Sequence, residues 1–458
     1  MTDSIAIVGG GAGGIFAALA ARKAANDAGA NFDVHLFERN PRPGIKILIS
    51  GGGKCNITHA GPVEELLREG FPRLNEQRFL KRAMYRYTNA DVLALLARHG
   101  VACHARENGR IFPDSGRAED VLAAFERELR AVGVILNAKS RVESIRYSTG
   151  GWQITHNGKQ ADHQALILAT GGTSYSKTGT TGDGIHFAAQ LGHCIVPVRS
   201  ALAPIYLKHP PVQNVVGIAL QNAEIYVVKS GDIHSSGKIL AQTRGDILIT
   251  HRGLSGPATL GISNAAAKLH EAGPISIEVN LVGNSEQATR DRLISEQQAR
   301  PLQQCTTWLE EVLPNRFVPF VLAQAEVPNE RRWNALTREE RNRLVWALTR
   351  YGFGAVAEIP LERGEVTSGG VALAEVDPKT MMSRLLPGLF FAGEMLDVAG
   401  EIGGYNLQAA YSTGWVAGEA AASRVECGDP NSHLGFATFG QTQADMSRGG
   451  ESGLNASD

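Results

Sequence analysis

The chain opens on a short apolar run at residues 5–8, passes through a cluster of glycines, and continues in an alanine-rich stretch that lasts until Gly29. Strand, turn and helix are predicted in that order, with Gly29 as the left-handed stop. A second apolar run at 34–37 ends on Glu38. From 64 to 99 apolar positions recur at helical spacing, with Leu80, Met84, Val92, Leu95 and Leu96 on the inner faces. Residues 109–113 read as a turn and 118–132 as a helix. Short strands are predicted at 134–145 and 152–156, and the unbroken apolar run at 165–170 suits a strand buried on both faces. It ends on Gly171 and Gly172, and the glycine-rich segment 178–184 leads into a helical stretch at 185–191.

Near Cys194 the pattern changes. Residues 195–282 carry short alternating and β-branched runs, including 223–228, 246–250 and 275–279, which predict an antiparallel sheet or small barrel. The segment 250–257 is a shaped turn, and its His251 and Arg252 are more plausible as solvated or structural groups than as substrate contacts. From 285 to about 351 the composition turns helical and charged, and Thr337 with Glu340 forms a predicted capping box. Residues 389–394 then read as an apolar strand ending in Gly393 and Glu394, and 403–418 as a helix entered through paired glycines. The expected organisation is one nucleotide-binding domain in two segments, 1–194 and 356–425. An insert at 195–355 interrupts it, β-rich over 195–283 and mostly helical over 284–355, and a disordered tail follows at 426–458.

A length of 458 residues allows two or three domains with a sizeable core. The formal net charge of −1, without a long basic run, offers no footprint for nucleic acid or an anionic membrane surface, so small-molecule chemistry is favoured. The start is not leader-like and there is no long apolar span, so a cytoplasmic location is expected. Cys55, Cys103, Cys194, Cys305 and Cys427 are odd in number and never form a CxxC pair, so neither a disulfide framework nor a metal site is expected.

Gly9, Gly11 and Gly14 stand at GxGxxG spacing between the first strand and helix. In such a motif the first glycine makes the tight turn, the second leaves room for a pyrophosphate, and the third lets helix and strand pack closely. The helix N-terminus suits the phosphates, and the Glu38 carboxylate suits ribose hydroxyls. Residues 39–59 contain too much proline and glycine for a regular element and read as a long functional loop. Its three glycines, Gly51 to Gly53, allow close backbone approach, Arg42, Lys46 and Lys54 add positive charge, and Ile45, Ile47, Leu48 and Ile49 call for burial. Arg110 is a weak candidate for holding an anionic substrate, because a lone arginine is more often solvated or ion-paired.

The blocks Gly9 to Gly14, Ile49 to Thr58 (ISGGGKCNIT), Ala169 to Gly172, Thr178 to Gly184, Phe391 to Asp397 and Gly403 to Leu407 resemble the HI0933-like flavoproteins, also described as BaiN/RdsA-type NAD(P)/FAD-dependent oxidoreductases or the aminoacetone-oxidase family. The resemblance extends to about residue 424. It implies an α/β fold, a glutathione-reductase-type FAD-binding Rossmann domain interrupted by an insert with a β-barrel part and a helical part. It also implies site residues. Gly9, Gly11 and Gly14 would cradle the FAD pyrophosphate, Glu38 would bind the adenosine ribose, and Val142 would meet the adenine through its backbone. Lys46, Ser50, Gly51 and Gly52 would line the flavin side, while Thr170, Gly171 and Gly172 form the turn beside the cofactor. Gly393 and Glu394 would face the ribityl chain, and Gly404, Asn406 and Leu407 would open a helix whose positive end faces the flavin carbonyl edge. Where the family's block carries arginine, this chain has Lys54, which keeps the charge and loses the bidentate fork.

The expected activity is therefore that of an FAD-dependent oxidoreductase acting on a small organic substrate. Without a second GxGxxG domain, NAD(P)H as reductant would bind transiently at the flavin face or in the insert. Alternative readings are an FAD-dependent oxidase of amine-type substrates that passes electrons to dioxygen, a non-catalytic flavin-binding redox-responsive module, and a plain NAD-binding Rossmann protein. Cys55 reads as packing rather than a redox thiol. No catalytic acid or base stands out.

Overall fold

The computed structural model describes residues 3–148, 151–231 and 238–427. The tail expected beyond 425 thus lies almost wholly outside the described residues. Five parallel strands form the central sheet in the spatial order Leu389–Phe391, Ala165–Leu168, Ser4–Val8, Asp33–Phe37, Ile135–Asn137. The two central strands, Ser4–Val8 and Ala165–Leu168, are buried along their whole length, as an apolar run without alternation requires when both faces are covered. Helix Ala12–Ala28 covers one side and stops at Gly29, which takes the left-handed conformation with φ 64°. Its small residues let the terminal helix Tyr405–Cys427 come very close. A β-carbon on Gly414 would stand 2.2 Å from the Gly13 carbonyl oxygen, and one on Gly418 2.2 Å from that of Ala17.

The intervening chain builds a second hydrophobic core of its own. Six antiparallel strands close into a barrel, in the order Ile205–Leu207, Gly253–Ser255, Ile239–Ile249, Ala219–Lys229, Ile275–Asn280, Tyr351–Glu358. Helices between residues 286 and 349 pack their apolar faces onto the barrel, with Leu293, Trp308, Leu322, Trp333 and Leu348 in the shared interior. The capping box predicted at Thr337 is present, with its hydroxyl accepting from the Glu340 N–H and the Glu340 carboxylate accepting from the Thr337 N–H. A two-stranded ribbon, Ile195–Ala201 against Val366–Val371, joins the two bodies.

Four local expectations require correction. Residues 110–113 are a strand, Arg110–Pro113, because the turn falls one step earlier, at 107–109. Residues 45–53 are helical at first and break only where Ser50 becomes extended and Gly51 and Gly52 turn left-handed. The β-rich part also contains helix Pro257–Ala272, whose small side chains blur the helical period although Ala258, Ile262 and Ala266 repeat every fourth residue on its buried side. The barrel is closed by Tyr351–Glu358, a strand that runs past the 355 limit of the expected helical part. Among the described residues no helix is long and apolar enough to cross a membrane.

Candidate functional site

Parallel strands that end at one edge leave a crevice outside their carboxyl ends, where loops diverge to opposite faces of the sheet. A cavity of about 480 Å³ occupies that position. It is lined by Gly9, Gly11, Glu38, Lys46, Ser50, Gly51, Gly52, Val142, Thr170, Gly171, Gly393, Glu394, Gly404, Asn406 and Leu407, which come from widely separated stretches of the chain. Gly14 and Gly172 are not among the lining residues.

Each glycine of the first turn has a distinct environment. Gly9 has φ 105°, and a β-carbon on it would lie 2.5 Å from the Ala169 carbonyl oxygen. Gly14 sits beneath the turn, where a β-carbon would overlap the Gly9 oxygen at 1.8 Å. A β-carbon on Gly11 would meet no protein atom within 4 Å, because it would project into the cavity. Helix Ala12–Ala28 begins at that point with no side-chain cap and no acidic residue in its first turn, so its positive end is open to an anion.

Glu38 follows the second strand and is almost fully buried. Its Oε2 accepts from the Gly10 N–H at 2.8 Å and its Oε1 from the Asn40 N–H at 2.7 Å. Burial raises its pKa, while these two backbone donors pull in the opposite direction. The carboxylate thus braces the glycine turn and keeps lone pairs free for a further donor. Asp183 supplies charge compensation at the same end, reaching Arg39 at 3.5 Å and Arg141 at 3.2 Å.

Midway along the cavity, Lys46 Nζ donates to Glu394 Oε2 at 2.8 Å and to Ser174 Oγ at 2.7 Å. The other oxygen, Oε1, accepts from the Thr367 N–H at 2.6 Å. Thr367 Oγ1 accepts in turn from the N–H groups of Thr173 and Ser174, which secures the turn after the strand Ala165–Leu168. Gly172 packs against this hydroxyl, with a virtual β-carbon only 2.2 Å from it. Gly172 therefore shapes the turn from behind, as Gly14 does for the first one.

The far end is formed by residues 397–407. Arg73 donates to both carboxylate oxygens of Asp397 and to its carbonyl oxygen, and the fully buried Glu76 accepts from the Ala399 N–H at 2.7 Å. Asn406 closes the same loop, accepting from the Gly400 N–H at 2.8 Å and donating to the Gly400 carbonyl at 2.9 Å. Its amide is thus engaged with backbone, and what the segment offers the cavity is the start of helix Tyr405–Cys427, which has no acid in its first turn.

Several charges assigned to the loop after Glu38 lie elsewhere. Arg42 is held by Glu119 and Glu126 at 2.9 and 3.0 Å, Lys54 is exposed outside the cavity, and Ile49 is exposed at its edge while Ile47 alone of the four aliphatic residues is buried. Arg252 stacks on Tyr206 and faces Glu358, away from the site. Cys55 is buried with φ 57°, and burial pushes its thiol up to about 12, so it packs rather than reacts. Sequence reasoning missed Ser174, Thr367, Arg106, Glu365 and Glu401, which belong to no local motif and reach the site only through the fold.

A parallel sheet with a glycine turn, an acid after its second strand and a cavity across its carboxyl edge defines an α/β protein of the Rossmann type. The chain belongs to the family described as HI0933-like protein Rossmann domain, whose model matches residues 3–420. It is 30% identical over 432 residues to a Clostridium scindens protein named 3-dehydro-bile acid delta(4,6)-reductase, covering 92% of this chain and all of the relative. It is 31% identical over 413 residues to an Escherichia coli protein named ribosomal RNA dihydrouridine synthase, covering 89% of this chain and 95% of the relative. A Haemophilus influenzae protein of the same name is 31% identical over 415 residues, with 89% and 96% covered.

Proposed function

We propose that the protein is an FAD-dependent oxidoreductase that reduces a small organic substrate. One observation carries this reading: a continuous cavity runs from the Gly9–Gly13 turn, past Lys46 and Glu394, to the start of the terminal helix, and the only missing side chain that would project into open space at the turn is that of Gly11. A mononucleotide needs the first part of such a cavity, whereas FAD needs all of it. The relative named as a reductase favours reduction over oxidation.

In this assignment Gly10 to Ala12 and the open helix end bind the pyrophosphate, and Glu38 orients the ribose while bracing the turn. Lys46, fixed by Glu394 and Ser174, presents a positive charge beside the middle of the ligand. The first turn of helix Tyr405–Cys427, which carries no acid and begins at the cavity lining, would offer its backbone N–H groups to the far end of the ligand and favour negative charge there. Bound FAD supplies the two-electron redox chemistry, and the chain supplies position and field. NAD(P)H, as reductant, would share the same open end, since no second glycine fingerprint is present. Two relatives are named for ribosomal RNA, so a structured RNA belongs beside small organic acceptors in the substrate screen.

The test begins with the purified protein. A two-banded flavin spectrum, or its appearance on reconstitution with FAD, is expected, and a colourless protein that cannot be reconstituted refutes the proposal. Anaerobic NADH or NADPH should then bleach the flavin. Bleaching only by an amine donor, with peroxide formed on admitting air, would instead establish the oxidase reading, and failure of every donor would leave a flavin-binding module.

A further inference from the structure

At the mouth of the cavity stands the hairpin that carries Arg106 and Arg110, both lining residues. The Arg106 N–H donates to the Arg110 carbonyl at 2.9 Å, and Ala105 pairs with Ile111 on the strands that follow. The two arginines therefore face each other across an antiparallel pair and lie on the same side of the ribbon. Like charges in that position repel and destabilise the hairpin unless something neutralises them.

Among the described residues no carboxylate oxygen comes within 4 Å of either guanidinium. By contrast, the two cavity arginines at the opposite end, Arg39 and Arg141, are both paired with Asp183. Glu365 also lines the cavity and feels the Arg110 charge, yet it stays beyond pairing distance, and burial raises its pKa. Arg106 is also held against an aromatic ring. The Arg106 guanidinium lies 3.9 Å over the Phe112 ring, and that ring backs the Gly51 turn. His59 supports the hairpin from below through the Asn108 carbonyl, and its ring stacks on Tyr405 at the start of the terminal helix. Two guanidinium groups with no carboxylate partner among the described residues thus flank the place where a substrate would meet the flavin.

We infer that Arg106 and Arg110 form an oxyanion subsite that takes a carboxylate or phosphate group of the substrate and holds it at the mouth of the cavity. Planar forks suit either anion, and binding it relieves the repulsion within the hairpin. The inference rests on the flavoenzyme reading, which it narrows to an anionic substrate.

Titration with benzoate and with phenyl phosphate tests it, with benzyl alcohol as the neutral control. In the FAD-loaded protein either anion should perturb the flavin bands saturably, and benzyl alcohol should not. Arg110→Gln and, separately, Arg106→Gln should each weaken that binding at least tenfold with flavin content unchanged, and Arg110→Lys should retain part of it. The tighter of the two anions identifies the carboxylate or phosphate form of the subsite. Equal binding of benzoate and benzyl alcohol, absence of binding by either anion, or wild-type affinity in both glutamine variants overturns the inference. Should the protein fail to hold FAD, the flavoenzyme reading falls first. The subsite is then read separately, by the thermal shift each anion produces in the apoprotein and its loss in the same variants.

Discussion

Replacing Gly11 by valine separates cofactor binding from folding more cleanly than any other change at the site. Gly11 precedes the first helix with φ −76° and ψ −172°, an extended conformation open to any residue, so a side chain brings no backbone strain. A β-carbon there has no protein neighbour within 4 Å, so it brings no clash with the fold either. Removing a glycine at a compatible position stabilises by about 0.4–1 kcal/mol through the unfolded chain, and the apoprotein should melt at the wild-type temperature or slightly above. Binding is another matter, because the added atoms occupy the space a pyrophosphate needs. Overpacking costs about 1–3 kcal/mol, and its upper end corresponds to an affinity for FAD weaker by about a hundredfold. Gly14→Ala is the contrasting case. Its β-carbon would overlap the Gly9 oxygen at 1.8 Å, so the apoprotein itself should lose stability. Flavin content after purification, FAD affinity by fluorescence quenching, and the apoprotein melting temperature together decide the matter. Wild-type flavin content in Gly11→Val would refute the placement of the pyrophosphate, and a destabilised apoprotein would refute the reading of the open space.

Further expectations concern the supporting network. Glu76→Ala leaves Arg73 with one carboxylate partner and the Ala399 N–H unsatisfied; because Arg73 is a quarter exposed, the cost should fall near the lower end of the range for broken buried pairs, about 3 kcal/mol in urea unfolding. Lys46→Met should weaken FAD binding about tenfold, and unchanged affinity would show that the Lys46–Glu394 pair does not contact the cofactor. Stability should also fall in acid through His163, which burial pushes down to about 4 and which is hydrogen-bonded to Ser4 Oγ at 2.9 Å. A histidine with a depressed folded pKa takes its proton more readily once unfolded, so its contribution is complete above about 6.5 and is lost as the pH falls toward 4. The full effect is about 3 kcal/mol, with His35, also lowered by burial, adding in the same direction. His163→Asn should flatten that slope, and an unchanged slope would show that other groups govern it.

Features of short range were legible in the sequence. The strand, glycine turn and helix at the N-terminus, the left-handed stop at Gly29 and the capping box at Thr337 each depend on a few neighbouring residues. The sterics and hydrogen bonds that set them are local, so residue type and spacing suffice. The blocks around Ser50, Thr170, Glu394 and Gly404 were visible in the same way, and all four line the cavity.

What the tertiary structure alone decided is who meets whom. The Lys46–Glu394 pair spans 348 residues, and the Thr367 hydroxyl that holds the turn at Ser174 comes from the far side of the barrel insert. No periodicity announces such contacts, because they depend on the order of parallel strands and on the ribbon that joins the two bodies. The same holds for charge. Arg42 and Arg110 look alike in the sequence, yet a neighbouring helix neutralises the first with two glutamates, while the register of a hairpin sets the second opposite Arg106 with no carboxylate in reach among the described residues. A charge is free or paired only with respect to everything folded around it, and that is a property of packing and burial, which local sequence cannot carry.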